Sequence, residues 1–337
     1  MSEQKWVRRS LRQLSARLCD AGHPVSPPTV GRLLDDLGSA LHVNAKQAEA
    51  KAAHVDRNAQ FEHITAQRQV FQDAGWPIIS VDTKKKELIG NFKTAGQAWS
   101  QDAEVVNVHA FPQDALGRSV PYGIYDLRHN RGTLYVGSSA DTPQFAVGAI
   151  ARWWATEGST AFPQADQVLI LADAGGSNGC RPRQWKQQLQ EQVSDRFGLT
   201  VTVCHYPTGC SKWNPIEHRL FSHISINWAG KPLRTWDTML GYIRGTTTTT
   251  GLEVRACLHP GVYETGRSVS DAEMTLLNLE RHTICPNWNY TIRPRRGVAP
   301  DTRVEPAKQE VIFFNRPLAR IIHESQTRPW DSLRHVL

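Results

Sequence analysis

The feature that most constrains this fold is a pair of short apolar runs that each end in an aspartate, Ile78-Ile-Ser-Val-Asp82 and Val168-Leu-Ile-Leu-Ala-Asp173. A strand covered on one face alternates apolar and polar residues. A strand covered on both faces reads as a near-continuous apolar run. Two such runs, set among amphipathic helical stretches, predict an α/β fold in which helices flank a mixed sheet. A third acidic residue, Glu217, lies in Asn214-Pro-Ile-Glu217-His-Arg-Leu, which has the pattern of a helix first turn.

The stretches between these runs supply the expected order of elements. Ser119–Leu127 and Thr133–Ser138 read as two strands joined by the polar turn His129-Asn-Arg-Gly132. Asp141-Thr-Pro143 caps a helix carrying Phe145, Ile150, Trp153 and Trp154. Gly175-Gly-Ser-Asn-Gly179 turns into a helix running to about Phe197, Leu199–Cys204 is a further strand, and Asn214–Trp228 is a helix. The order βββαβαβα is that of a ribonuclease-H-like core, expected over residues 76–230 and followed by a C-terminal part over 231–296. Within that part a helix is expected over Trp236–Arg244 and another capped at Ser270. The threonine run 246–250 reads as a strand edge.

Ahead of the core, Leu11, Leu14 and Leu18 form one helical face, and Val30, Leu33, Leu34 and Leu37 another. Gly22-His-Pro-Val25 separates them, and Ser26 followed by two prolines is a strong helix start. Residues 1–45 therefore read as a helix-turn-helix DNA-binding region or as an ordinary helical hairpin. Arg8, Arg9, Arg12, Arg17 and Arg32 favour DNA, with Thr29 and Arg32 on the second helix as candidate contacts. Residues 46–75 read as a helical connector with Phe61, Ile64 and Phe71 to bury.

Transferring a phosphodiester calls for charge stabilisation on the attacking and leaving oxygens, which two Mg²⁺ or Mn²⁺ ions held by carboxylates supply. Asp82, Asp173 and Glu217 are the candidate catalytic and metal-ligating set, expected within reach of a shared ion pair. Taken singly, each has a plainer reading: a strand-end aspartate commonly forms a turn, and Glu217 could close a capping box with Asn214. Lys84, Lys85 and Lys86 follow Asp82 after a single threonine and read as phosphate contacts or as a solvated face, and Lys212 and Arg219 flank Glu217. The glycine loop 175–179 lacks the Gly-Lys-Ser/Thr ending of a P-loop. A zinc site from Cys204, His205, Cys210 and His218 matches no standard spacing.

With 337 residues, 40% of them hydrophobic, the chain is long enough for about two globular domains. Its net charge of +7 favours a polyanionic partner and disfavours a carboxylate-pair glycosidase. Six cysteines with no CxxC pair read as reduced thiols, and neither a membrane span nor a signal-peptide core is present. A cytoplasmic, nucleoid-associated protein is expected.

Six segments together carry a resemblance to a known family. They are Asp82-Thr-Lys-Lys-Lys-Glu-Leu-Ile-Gly-Asn-Phe-Lys93, Val106-Asn-Val-His109, Pro121–Leu127, Ala172-Asp-Ala-Gly-Gly-Ser-Asn-Gly179, Ser211–Ser222 and Trp288–Pro294. They resemble the Rhodopirellula-type DDE transposases, the Azo-thirteen group of bacterial insertion sequences, from about Trp6 to Arg295. The resemblance implies a ribonuclease-H-like catalytic domain, divalent metal, and cutting and joining at an element's ends, with Asp82, Asp173 and Glu217 on the positions of the acidic triad. It also implies DNA ends and target DNA as partners, a homo-oligomer on DNA, and a longer DNA-binding region of which residues 1–45 are the second half. The tail 297–337 falls outside it. A DNA-binding remnant without catalysis is the alternative.

Overall fold

The computed structural model describes residues 10–39, 55–298 and 300. The chain divides into two compact units, residues 1–53 and 54–337. In the smaller unit, α1 (Leu11–Asp20) starts in a full capping box between Ser10 and Gln13. Its partner α2 (Pro27–Asp36) starts where Ser26 accepts the Thr29 amide behind two prolines. The Ser15 hydroxyl donates to the Val25 carbonyl at 2.6 Å, which fixes the turn, and Val30 is buried beside it. Arg32 is exposed and donates to the Thr29 hydroxyl at 3.5 Å. The tail 297–337, which falls outside the family resemblance, lies almost wholly outside the described residues.

In the larger unit α3 (Arg57–Asp73) comes first. β1 (Ile78–Thr83), β2 (Val120–Asp126), β3 (Arg131–Gly137) and α4 (Pro143–Trp153) follow. Next are β4 (Gln167–Asp173), α5 (Arg183–Leu189), β5 (Thr200–Tyr206) and α6, residues 217–227, whose first turn Glu217–Phe221 is a π-turn. α7 (Trp236–Arg244), β6 (Glu253–Leu258), α8 (Asp271–Thr275), β7 (Leu279–Arg281) and β8 (Asn289–Ile292) complete it.

These eight strands form one sheet in the order β6-β3-β2-β1-β4-β5-β8-β7, and Leu88–Ile89 pairs with Gly117–Arg118 as a separate two-stranded ribbon. β2 runs antiparallel to both of its neighbours, β1 and β3, while β4 and β5 run parallel to β1. Three antiparallel strands flanked by two parallel ones, ordered 3-2-1-4-5, make this a ribonuclease-H-like fold. The sheet does not stop at residue 230: β6 extends one edge, parallel to β3, and β8 with β7 extends the other, antiparallel to β5. The threonine run 246–250 is turn and coil, and the edge strand begins at Glu253 instead.

The near-continuous apolar runs follow from cover on both faces. On one face Ile79, Val81, Val168, Ile170 and Ala172 join Phe145, Ile150, Trp185 and Leu189 of α4 and α5. On the other, Ile78, Leu169 and Leu171 pack with Ile64 and Phe71 of α3, so the helix expected as part of a connector is built into the larger unit. Tyr125, Leu134 and Val136 on that face meet Leu220, Phe221 and Ile224 of α6 and Met239, Leu240 and Ile243 of α7. Each fully buried aliphatic side chain contributes about 1.5–3 kcal/mol.

Two glycines set how closely α6 approaches the sheet. A Cβ on Gly123, which pairs with Asp82, would stand 2.5 Å from the Phe221 ring, and one on Gly132 would run into Leu220. Gly132→Ala should therefore destabilise the chain by about 1–3 kcal/mol through overpacking. Gly241→Ala, on an exposed turn of α7 with open space around it, should stabilise by about 0.5–1 kcal/mol. Urea unfolding of the two variants reads this directly. Effects of the same sign would mean that α6 is not seated on β2 and β3 as described.

Candidate active site

In open α/β sheets ligands bind beyond the carboxyl ends of the parallel strands. Asp82 is the penultimate residue of β1 and Asp173 the last of β4. The register pairs Val81 with Ala172, so the two aspartates stand at neighbouring strand ends.

Glu217 reaches this edge because Asn214 docks its segment there. The Ser80 hydroxyl donates to the Asn214 side-chain oxygen at 2.5 Å. The Asn214 amide donates to an Asp173 carboxylate oxygen at 3.1 Å and to the Val81 carbonyl at 3.3 Å. Ser80 in turn accepts the Ile216 N–H at 3.0 Å. One fully buried asparagine thus joins β1, β4 and the start of α6. The side chain that a capping box would use is committed to the sheet, so Glu217 is not held by Asn214 as a cap partner.

A second buried group holds Asp173 from behind. His205 Nδ1 faces the Asp173 carbonyl at 2.9 Å, and a carbonyl only accepts, so Nδ1 carries the proton. Nε2 then accepts from the Tyr290 hydroxyl at 3.0 Å, which itself accepts from Trp185 Nε1 at 2.8 Å. Burial pushes the His205 pKa down to about 3, which keeps the ring neutral. His218 Nε2 is bonded to the Lys212 carbonyl. Both histidines of the weighed zinc set are therefore engaged elsewhere.

The two aspartates line a cleft of about 510 Å³ together with Lys84, Lys85, Lys86, Arg118 and Asp141, and with Gly175, Gly176 and Asn178 of the loop after β4. Glu217 is not part of that lining. Burial raises the pKa of Asp82 to about 8, with further upward pressure from the Asp173, Glu217 and Asp141 charges, although the Thr83 N–H, 2.7 Å away, opposes it. Burial also raises Asp173, against the Asn214 hydrogen bond. Glu217 is raised by burial and then by Asp173, while Lys84 and His218 pull it down. The three carboxylates sense one another, yet among the described residues no three acidic, histidine or cysteine side chains are already gathered to hold a metal ion. The donor set fits a hard divalent cation chemically, since clustered carboxylate oxygens that resist ionising together are what such a charge relieves.

The lysines divide. Lys84 is only 6% exposed, and its ammonium donates to the Ser225 hydroxyl at 2.6 Å and lies 4.9 Å over the Trp228 ring. Burial pulls its pKa down, opposed by Glu87 and Glu217. This corrects the expectation that all three lysines face solvent: Lys84 fastens the end of β1 to α6. Lys85 and Lys86 are exposed and pair with Glu87 at 3.6 Å and Asp141 at 3.1 Å. Lys212 and Arg219 are exposed on the segment that carries Glu217, and Thr29 and Arg32 belong to the smaller unit.

The sequence profile described as the Rhodopirellula transposase DDE domain matches residues 1–294. The chain belongs to this family. The match takes in every strand of the sheet, including β8 at 289–292. No curated protein matches. Among solved structures, the mariner Mos1 paired-end complex with Mg shows 13% identity and a TM-score of 0.42 over 72% of each chain. The Mos1 strand transfer complex shows 11% identity and a TM-score of 0.39 over 72% of this chain and 71% of that one.

In this transposase domain, sequence reasoning missed Asp141. Asp141-Thr-Pro143 reads as one capping unit, but Thr142 alone accepts the Phe145 N–H at 3.2 Å. That frees Asp141 to accept from the Thr83 hydroxyl at 3.2 Å and to line the cleft. The signal was present: threonine before proline is a sufficient helix start, which leaves the preceding acid unexplained.

The folded-state pKa of Asp82, about 8, lies above its ordinary value of 3.8. Between them the folded chain holds a proton that the unfolded chain has released, so stability falls as pH rises through that window. With divalent metal chelated, the parent's unfolding midpoint should decline from about pH 4 to about pH 8. Asp82→Asn should reduce the decline and be more stable than the parent at pH 8. An equal decline in Asp82→Asn would place the uncompensated charge elsewhere.

Proposed function

We propose that this chain is the transposase of an insertion sequence, which cuts DNA strands at the element's ends and joins them to target DNA through Asp82, Asp173 and Glu217. One observation carries the reading: in a DDE transposase domain, two aspartates stand at adjacent strand ends, and Asn214 ties one of them to the segment that bears Glu217.

The three carboxylates would hold Mg²⁺ or Mn²⁺, two ions in the reading offered here. The ions would supply charge stabilisation on the attacking and departing oxygens of an in-line displacement. The chain's own residues do the placing. Asn214 and His205 keep Asp173 at the strand end from its side chain and its backbone. Lys84 keeps the end of β1 against α6. Lys85, Lys86 and Arg118 offer cationic contacts to the phosphates of a strand in the cleft, and Lys212 and Arg219 extend them past Glu217. Thr29 and Arg32 on α2 would read a major groove as a helix-turn-helix does. Joining two ends requires two such sites, which calls for a homo-oligomer on DNA. A non-catalytic remnant that still binds element ends is the competing reading.

Cleavage of labelled DNA carrying the element's own ends, with Mg²⁺ or Mn²⁺, separates the two. Asp82→Asn, Asp173→Asn and Glu217→Gln should each lower strand cleavage by at least about a thousandfold, since each removes charge that organises the metal. The triple variant should be no worse than the single ones, because parts of one catalytic unit are non-additive. Metal-free affinity for the same DNA should be unchanged or slightly tighter. No cleavage by the parent, with weaker binding in all three variants, would favour the remnant. Full cleavage by Glu217→Gln would remove that residue from the site.

A further inference from the structure

Two buried asparagines stand at this site, and they are used in opposite ways. Both ends of the Asn214 amide are committed to the sheet. Asn178 is 1% exposed and lines the cleft, yet neither its side-chain nitrogen nor its oxygen has a partner in the protein. The neighbouring Ser177 hydroxyl is 6% exposed and also lacks a partner. Buried polar groups are nearly always hydrogen-bonded, so a donor, an acceptor and a hydroxyl left unsatisfied side by side call for a ligand.

The plainer role for an asparagine in a turn is to bond its own backbone. Here the loop closes without it: the Gly179 N–H donates to the Gly176 carbonyl at 3.3 Å, and Cys180 N–H to the Ala174 carbonyl at 3.2 Å. The glycines do the rest. Gly176 has φ of +76°, a left-handed conformation that suits glycine, and a Cβ on Gly179 would stand 2.8 Å from the Ala174 oxygen. A Cβ on Gly175 would meet nothing within 4 Å, so the cleft wall here is bare backbone with room beside it.

The chemistry of the unspent groups limits the ligand. A phosphate only accepts; it could satisfy the Asn178 N–H and the Ser177 O–H but would leave the Asn178 oxygen unpaired. A nucleobase edge presents a donor and an acceptor side by side, and a carboxamide matches it bidentately, adenine best. The cleft, at about 510 Å³, is within the size range of small-ligand sites. We propose that Asn178 binds the edge of an unpaired base of the DNA strand that enters the cleft. Asn178 would then be a specificity-determining residue one loop away from Asp173. This rests on the cleft being a DNA-processing site.

The test uses the full chain in EDTA and fluorescent duplexes of one fixed sequence. Each carries a 3′ overhang of four dA, dC, dG or dT residues, or of four abasic sites. The parent should bind at least one base-bearing overhang, dA first, about fivefold or more tighter than the abasic one. Fivefold is the ratio that about 1 kcal/mol of base discrimination corresponds to. Asn178→Ala should bring every overhang to the abasic level. Asn178→Asp, which keeps the shape but replaces the donor with an acceptor, should move the preference towards dC. Because the amide holds nothing in the fold, the melting temperature of Asn178→Ala should be unchanged or higher. Equal weakening of abasic and base-bearing overhangs would make Asn178 a phosphate contact and overturn the proposal. No change in discrimination would do the same, as would a clear drop in melting temperature. Nicking of plasmid DNA by the parent in Mn²⁺ separates the two levels. If the parent nicks but shows no base effect at Asn178, only this inference falls. If it neither binds nor nicks DNA, the reading of the cleft falls with it.

Discussion

The site depends on the hydrogen bonds of one carboxamide. Asn214 is the point at which β1, β4 and the start of α6 meet, and every polar atom of its side chain is used in joining them. A buried amide with all its bonds made stiffens its surroundings, whereas one missing partner would cost about 1–3 kcal/mol and loosen three elements together. The same arrangement decides where the acids stand. Asp173 is held by its carboxylate, the segment with Glu217 is fixed three residues before that glutamate, and Ser80 is two residues from Asp82. Gly123 and Gly132 complete the docking by letting α6 lie close enough for those bonds to form.

What the docking creates is electrostatic tension. Three carboxylates at a partly dry sheet edge all resist ionisation, Asp82 most plainly, and Asp141 adds a fourth negative neighbour on the cleft side. The nearby cations are arranged to share this charge without cancelling it. Lys84 is buried towards α6, where it bonds Ser225. Lys86 pairs with Asp141, and Lys85 pairs with Glu87. A divalent cation and a polyanionic strand are the two partners that would settle both halves of this imbalance.

Much of this was legible in the sequence, and the residues show why. Ile78–Asp82 and Val168–Asp173 announced themselves as buried central strands because cover on both faces removes the polar alternation. Lys84 was not legible: three consecutive lysines look alike, and only the fold brings Ser225 and Trp228 up to the first of them. Asn214 read as a helix cap, because the groups it actually bonds lie more than 130 residues earlier in the chain at Ser80 and Val81, or 41 residues earlier at Asp173. The strand at Asn289–Ile292 hid behind a basic and aromatic composition, since Trp288 and Tyr290 pack inward while the arginines lie beyond it. The threonines at 246–250 have strand propensity, but no neighbour takes them up, and tertiary pairing starts only at Glu253.

Whether Asp82, Asp173 and Glu217 belong to one metal-holding site is measured most directly by replacing Mg²⁺ with Fe²⁺. Ascorbate and peroxide then generate hydroxyl radicals at the bound ion, and the polypeptide cuts are mapped by mass spectrometry. Cuts should fall in three separate stretches, around residues 82, 173 and 217, and all three should vanish together in Asp82→Asn. Cuts near 82 and 173 with none near 217, or cuts near 217 that persist in Asp82→Asn, would contradict a single three-carboxylate site.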